Sequence, residues 1–144
     1  MIKSAVKNDA GILAELATQM WHDSTVLALE KEFEKLIESD KATCFIKYID
    51  NMAIGFAQCQ LRTDYVEGTE TSPVGYLEGI FIIEAYRKKG YAKELLSTCE
   101  RWAKEQNCSE FASDCELNNI AGLRFHLARG FEEANRIICF RKGI

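Results

Sequence analysis

The chain has one proline, Pro73, and two histidines, His22 and His126, among 144 residues. Neither histidine stands at metal-ligand spacing to any of the six cysteines, and no C-x-x-C pair occurs, so no metal site is expected. No apolar run approaches the roughly 18 residues that a membrane span requires, and "MIKSAVKNDAG" has no apolar core of a targeting segment. An excess of basic charge is also lacking: 18 Lys and Arg stand against 22 Asp and Glu, a net charge of −4. That sign argues against a general nucleic-acid binder and admits a cationic substrate. The expectation is a cytoplasmic protein with reduced thiols, bound neither to nucleic acid nor to membrane.

What is present reads as one domain over residues 1–144. A chain of this length buries about two thirds of its unfolded surface and stands without staples. "MIKSAVK" alternates like a short strand, and Asn8 or Asp9 can cap a helix carrying Ile12, Leu13, Leu16 and Met20 at helical period. A second helix is expected after Ser24, with Leu29, Phe33, Leu36 and Ile37 as its apolar stripe. "TCFIKYIDNMAIGFAQCQL" predicts a hairpin turning near Asp50-Asn51. The polar stretch "RTDYVEGTETSPVG" predicts a long loop. From Gly75 onward, "YLEGIFII", "GYAKELLSTCERWAKEQ", "SEFASD", "NNIAGLRFHLARG" and "RIICFRK" alternate strand, helix, strand, helix, strand. Such alternation favours a mixed α/β sheet with helices on its faces.

Two glycines interrupt this pattern at places that propensity does not explain. Gly79 sits inside an apolar strand, where glycine marks a bulge or a close backbone approach. A bulge would splay the strand from its parallel neighbour and leave N–H and C=O groups for an extended amide-containing ligand. Gly90 lies in Arg87-Lys88-Lys89-Gly90-Tyr91-Ala92 at a helix start, where successive N–H groups can converge on a phosphate. The same run is equally compatible with a solvated turn.

Taken together, strand and turn resemble motif A of the Gcn5-related N-acetyltransferase (GNAT) superfamily, whose turn pattern Q/R-x-x-G-x-G/A is matched by "RKKGYA". "SPVGYLEGIF", "RWAKEQNCSEFASD" and "GFEEANRIICFRK" further resemble bacterial aminoglycoside 6′-N-acetyltransferases, with "MW" and "DYVEG" at similar places. The resemblance implies the acyl-CoA N-acyltransferase fold: a mixed sheet splayed between two central parallel strands, with helices on both faces. It implies acetyl-CoA as co-substrate, with Ile80, Phe81 and Ile82 along pantetheine and Lys88, Lys89, Gly90, Tyr91, Ala92 and Lys93 around the pyrophosphate. Asn119 would reach the pantetheine region, or simply cap a helix.

On the acceptor side the resemblance implies that Asp114 and Glu78 act on the amine and that Trp21 and Tyr65 line the sugar cleft. Asp114 closes a strand, where a side chain projects into a crevice; its other reading is a helix cap. Glu78 is an odd choice for a buried face, and its other reading is a solvent-facing residue. The chain departs from the pattern it resembles at His126, where many acetyltransferases of the wider superfamily have a tyrosine, and at Asn135, where the resembling enzymes often carry an acid. The implied reaction is direct acetyl transfer to the 6′-amine of aminoglycoside antibiotics by a homodimer. The alternatives are another amine acceptor (a polyamine, a peptide amine or an amino sugar) or a CoA-binding module without transfer. A ping-pong route through a cysteine ranks low, since no histidine neighbours a thiol.

Overall fold

A computed structural model describes residues 1–144. Strand β1 (Ile2–Ser4) leads through a single 3-10 turn (Lys7–Asp9) into α1 (Ala10–Ala17) and α2 (Val26–Glu38). The Thr25 hydroxyl oxygen accepts the Ala28 N–H at 3.1 Å and so caps α2, a contact worth about 1 kcal/mol. The expected hairpin is β2 (Ala42–Ile49) and β3 (Met52–Arg62), turning on Asp50 and Asn51 at φ 47° and 66°. Both residues are short and polar, which makes the left-handed conformation of a two-residue turn accessible.

After the long loop come β4 (Val74–Ile82), α3 (Tyr91–Glu105), β5 (Phe111–Ser113) and α4 (Ile120–Ala128). The sheet runs β1-β2-β3-β4-β5, antiparallel throughout except for the parallel pair β4 and β5. Alternation along β2 divides the core between the two faces. Ile46 packs with Leu13, Phe33 and Phe56 under α1 and α2, whereas its neighbour Phe45 packs with Ile54, Leu95 and Leu96 under α3. Burying each of these side chains contributes about 1.5–3 kcal/mol. Lys47 is also buried, and its Nζ donates to Glu94 Oε2 at 2.6 Å, tying the start of α3 to β2.

Two features of β4 position the site. Gln58 pairs with Gly79 and Cys59 pairs with Leu77, so Glu78 is the extra residue of a bulge. Pairing with β5 runs from Gly75 to Leu77 and then stops, so β4 beyond Leu77 is bonded on one side only. The splay expected beside Gly79 is present, one residue from where it was placed.

One expected element is absent. "RIICFRK" is not a strand: residues 132–144 form no helix or strand and make no backbone–backbone hydrogen bond. With no strand beyond β5, the parallel pair lies at the edge of the sheet rather than at its centre. No helix is long and apolar enough to cross a membrane.

Candidate active site

Where β4 and β5 part, a cleft of about 1050 Å³ opens between β4, the start of α3 and α4. One wall is the unpaired edge of Glu78, Gly79, Ile80, Phe81 and Ile82. The Phe81 and Ile82 side chains are buried in the core, so these residues offer the cleft mainly backbone. Ile80 is half-buried. Arg87 Nε donates to the Ile82 carbonyl at 2.8 Å, which closes the far end of the open edge.

The turn below this edge is shaped by two left-handed residues, Lys88 at φ 61° and Gly90 at φ 85°. Alternation of these two with neighbours at negative φ aims successive N–H groups at one point. The N–H groups from Lys88 to Lys93 have no partner within the chain. A Cβ built on Gly90 would meet nothing within 4 Å, so the space in front of the turn is open. Lys88, Gly90, Tyr91, Ala92 and Lys93 line the cleft, as does Arg129 of α4. Lys89 does not line it; its Nζ stands 5.7 Å from the Tyr86 ring centre. The α3 dipole, the free N–H groups and the surrounding cations together make a fitting seat for a pyrophosphate.

At the other end, four side chains form a row. Arg62 donates to Glu78 Oε1 through both Nε (3.0 Å) and Nη2 (2.7 Å), and its guanidinium lies 3.4 Å over the Tyr76 ring. The Tyr76 hydroxyl donates to Asp114 Oδ2. Each carboxylate thus keeps one oxygen without a hydrogen-bond partner, Glu78 Oε2 and Asp114 Oδ1. Burial pushes the Tyr76 hydroxyl far above its ordinary value, and its bond to the Asp114 carboxylate pushes it further. Asp114 does not cap α4: that role falls to Asn119, whose Oδ1 accepts the Gly122 N–H at 2.9 Å while the residue also lines the cleft.

Trp21 forms the floor beside Gly79. A Cβ there would stand 2.8 Å from Trp21 Cζ2, so glycine is required for the indole to approach the backbone. Behind it the indole meets Phe56 edge-on at 6.1 Å, making Trp21 both cleft wall and core contact. Tyr65 is 79 % exposed in the β3–β4 loop and does not line the cleft.

Arg62, Tyr76 and Ser113 were not anticipated from sequence. Tyr76 carried a signal, because it stands two residues before Glu78 on the same strand. His126 projects from α4 with Nδ1 2.6 Å from the Gly122 carbonyl oxygen and Nε2 2.8 Å from Ser113 Oγ. A carbonyl only accepts, so Nδ1 carries a proton, and in the neutral ring Nε2 accepts from the Ser113 hydroxyl. Cys115 also lines the cleft, but no hydrogen bond links its thiol to a base; burial raises the Cys44 thiol well above its ordinary value.

Residues 12–131 match the acetyltransferase (GNAT) family. The chain is 40% identical over 130 residues to an aminoglycoside N(6′)-acetyltransferase type 1 of Acinetobacter haemolyticus, covering 90% of this chain and 89% of that protein. Its identity to the protein of that name from Salmonella typhimurium is 39% over 127 residues, 88% of either chain. Among solved structures, AAC(6′)-Iy in complex with the bisubstrate analogue CoA-S-monomethyl-acetylneamine superposes with a TM-score of 0.95 at 36% identity, covering 100% of this chain and 98% of that one.

Proposed function

The chain belongs to the acetyltransferase (GNAT) family, and on that footing we propose that residues 1–144 form one domain that transfers an acetyl group from acetyl-CoA to the 6′-amine of an aminoglycoside. One observation carries this most directly: the open β4 edge, the free N–H turn and the carboxylates of Glu78 and Asp114 all line one cleft. Relatives that share the chain nearly end to end bear the corresponding name.

Acetyl-CoA supplies an activated acyl group as a thioester. Gly90, Tyr91, Ala92 and Lys93 bind its pyrophosphate through backbone N–H groups, with Lys88 and Lys89 adding charge. Ile80, Phe81 and Ile82 bond the pantetheine amides as a neighbouring strand would, and Asn119 borders that channel from α4. A backbone N–H at the bulge polarises the thioester carbonyl. Trp21 shelves the sugar, whereas Tyr65, exposed on the β3–β4 loop, lines no part of the cleft.

Glu78 and Asp114 hold the ammonium through their free oxygens, and Asp114, directly or through water, takes its proton. Tyr76, kept protonated by its surroundings, fixes the Asp114 rotamer, while Arg62 fixes Glu78. Once protonated, His126 gives its Nε2 proton to Ser113 Oγ as the Ser113 hydroxyl passes its own proton to the departing sulfur, which leaves the imidazole neutral. Holding amine and thioester in contact supplies an effective molarity of about 10⁵ M or more, so positioning accounts for much of the rate. We place the enzyme in the cytoplasm, where its six free thiols persist, and as a homodimer.

Regiochemistry tests the assignment. Kanamycin should be acetylated at the 6′-nitrogen, located by mass spectrometry and NMR of the product, and an analogue with a 6′-hydroxyl should receive nothing at that position. Transfer confined to polyamines or peptides would remove the aminoglycoside from the proposal and leave the acetyltransferase.

A further inference from the structure

Lys47 is the one lysine or arginine that the fold buries. It stands in β2 two residues after Phe45, so both side chains point to the α3 face of the sheet. An apolar residue would suit that place. A buried ammonium costs several kcal/mol unless it is well paired, so its partners call for a reason.

Those partners lie one helical turn apart at the start of α3. Nζ donates to Glu94 Oε2 at 2.6 Å and stands 4.9 Å from the centre of the Tyr91 ring. Tyr91 and Glu94 bracket Ala92 and Lys93, whose N–H groups have no partner within the chain. The Met1 nitrogen, the other cation close by, is engaged by the Tyr48 carbonyl at 3.2 Å. Glu94 is the sole acid in the first turn of α3. The helix dipole favours an acid there, but the same carboxylate competes with any phosphate that the free N–H groups bind. A turn of helix rises about 5.4 Å, less than the screening length of about 8 Å at physiological ionic strength, so an uncancelled Glu94 would be felt at the seat.

We propose that Lys47 positions the cofactor seat from behind: its ammonium holds the Glu94 carboxylate against the sheet and cancels that charge, so the free N–H groups of α3 meet a pyrophosphate unopposed. Lys47 acts through Glu94 and Tyr91, from a strand that does not line the cleft. The inference rests on the reading of the Gly90 turn as the pyrophosphate seat.

Calorimetry with coenzyme A as the probe, at low ionic strength, tests it on four chains: wild type, Lys47→Met, Glu94→Gln and the double substitution. Methionine keeps the length of the side chain without its charge, and glutamine still accepts from Lys47 through its amide oxygen. Affinity should follow the charge left behind the turn. Lys47→Met should weaken binding about tenfold, Glu94→Gln should tighten it about two- to threefold, and the double substitution should return to within about threefold of wild type. Raising the salt to about 0.5 M should shrink every one of these differences. A lysine that only packs the core gives another pattern, in which Lys47→Met binds weakly and Glu94→Gln does not rescue it; that result would overturn the proposal. Wild-type affinity in Lys47→Met would overturn it too. Where circular dichroism shows that Lys47→Met does not fold, Glu94→Gln decides alone, and affinity equal to or weaker than wild type counts against Lys47. A wild-type chain that binds no coenzyme A would sink the seat as well, whereas normal wild-type binding without the charge ranking would sink Lys47 only.

Discussion

The two ends of the sheet differ in how far they are finished. Around β2 and β3, α1 and α2 cover one face with a cluster of 11 buried residues, and α3 closes the other. Strand β5 and helix α4 themselves contain no buried residue, the sheet edge is open and the chain leaves the body. Strand β4 belongs to both regions, paired with two neighbours up to Leu77 and with one beyond it. The closed end derives its stability from its own side chains. The open end carries the groups left without partners, namely the β4 edge beyond Leu77, the free oxygens of Glu78 and Asp114, and the outer edge of β5. Recognition is placed where the fold is least complete, because only unsatisfied backbone and charge are free to bind.

The sharpest way to separate the ends is to compare chemistry with stability. Asp114→Ala at the open end should lower kcat by about 10²–10⁴ while acetyl-CoA affinity, measured by calorimetry, stays the same. Equal loss of both would make Asp114 a structural residue. At the closed end Phe56→Ala should cost about 3–5 kcal/mol of unfolding free energy, because a cavity opens between Phe33 and Trp21. Leu127→Ala in α4 should cost less than about 0.5 kcal/mol, since that side chain is half-exposed. Similar costs at the two sites would dissolve the contrast.

A smaller effect is expected at the boundary turn. Gly90→Val forces a β-branched residue to φ 85°, where a Cβ is disfavoured by about 1–2 kcal/mol, and fills the space in front of the free N–H groups. Acetyl-CoA affinity should fall about tenfold or more, while kcat at saturating cofactor changes less. Unchanged binding would take the turn out of the site.

The smallest signal is spectroscopic. Tyr76 is held above its ordinary value in the folded protein, so the native state keeps that proton where the unfolded chain releases it. Its contribution to stability is complete below the ordinary tyrosine value of about 10 and is lost as pH rises from there through the folded value. Tyr76→Phe should therefore leave the tyrosinate absorbance gained up to about pH 10 unchanged. A loss of amplitude in that range would mean that Tyr76 is not shielded.

Much of this was legible along the chain. The hairpin at Asp50-Asn51, the α2 stripe of Leu29 and Phe33, and the site-making roles of Gly79 and Gly90 all followed from local period and turn chemistry. Glu78 and Asp114 are singled out by the family resemblance; local chemistry adds only that an acid is unusual in the apolar run of β4 and that a side chain at a strand end projects into a crevice. Arg62 was not, because nothing in "QLRTD" says which strand neighbour a side chain will meet. The closing strand was misplaced for a related reason: "RIICF" announces a strand but not its partner.

Sequence by itself determined the conformations that depend on near neighbours: the helical stripes, the left-handed turn residues, the glycine that admits an indole and the apolar run that demands cover. Tertiary structure alone decided the pairings across the sheet. The single extra residue of the bulge sets the register that brings Arg62 to Glu78, and the end of the parallel ladder at Leu77 leaves Asp114 beside Tyr76. The contacts of Phe131 and Asn135 set the direction in which the chain leaves α4, so "IICF" forms no strand of the sheet. Backbone preference acts over a few residues, whereas strand register depends on contacts dozens of residues apart, which no local pattern encodes.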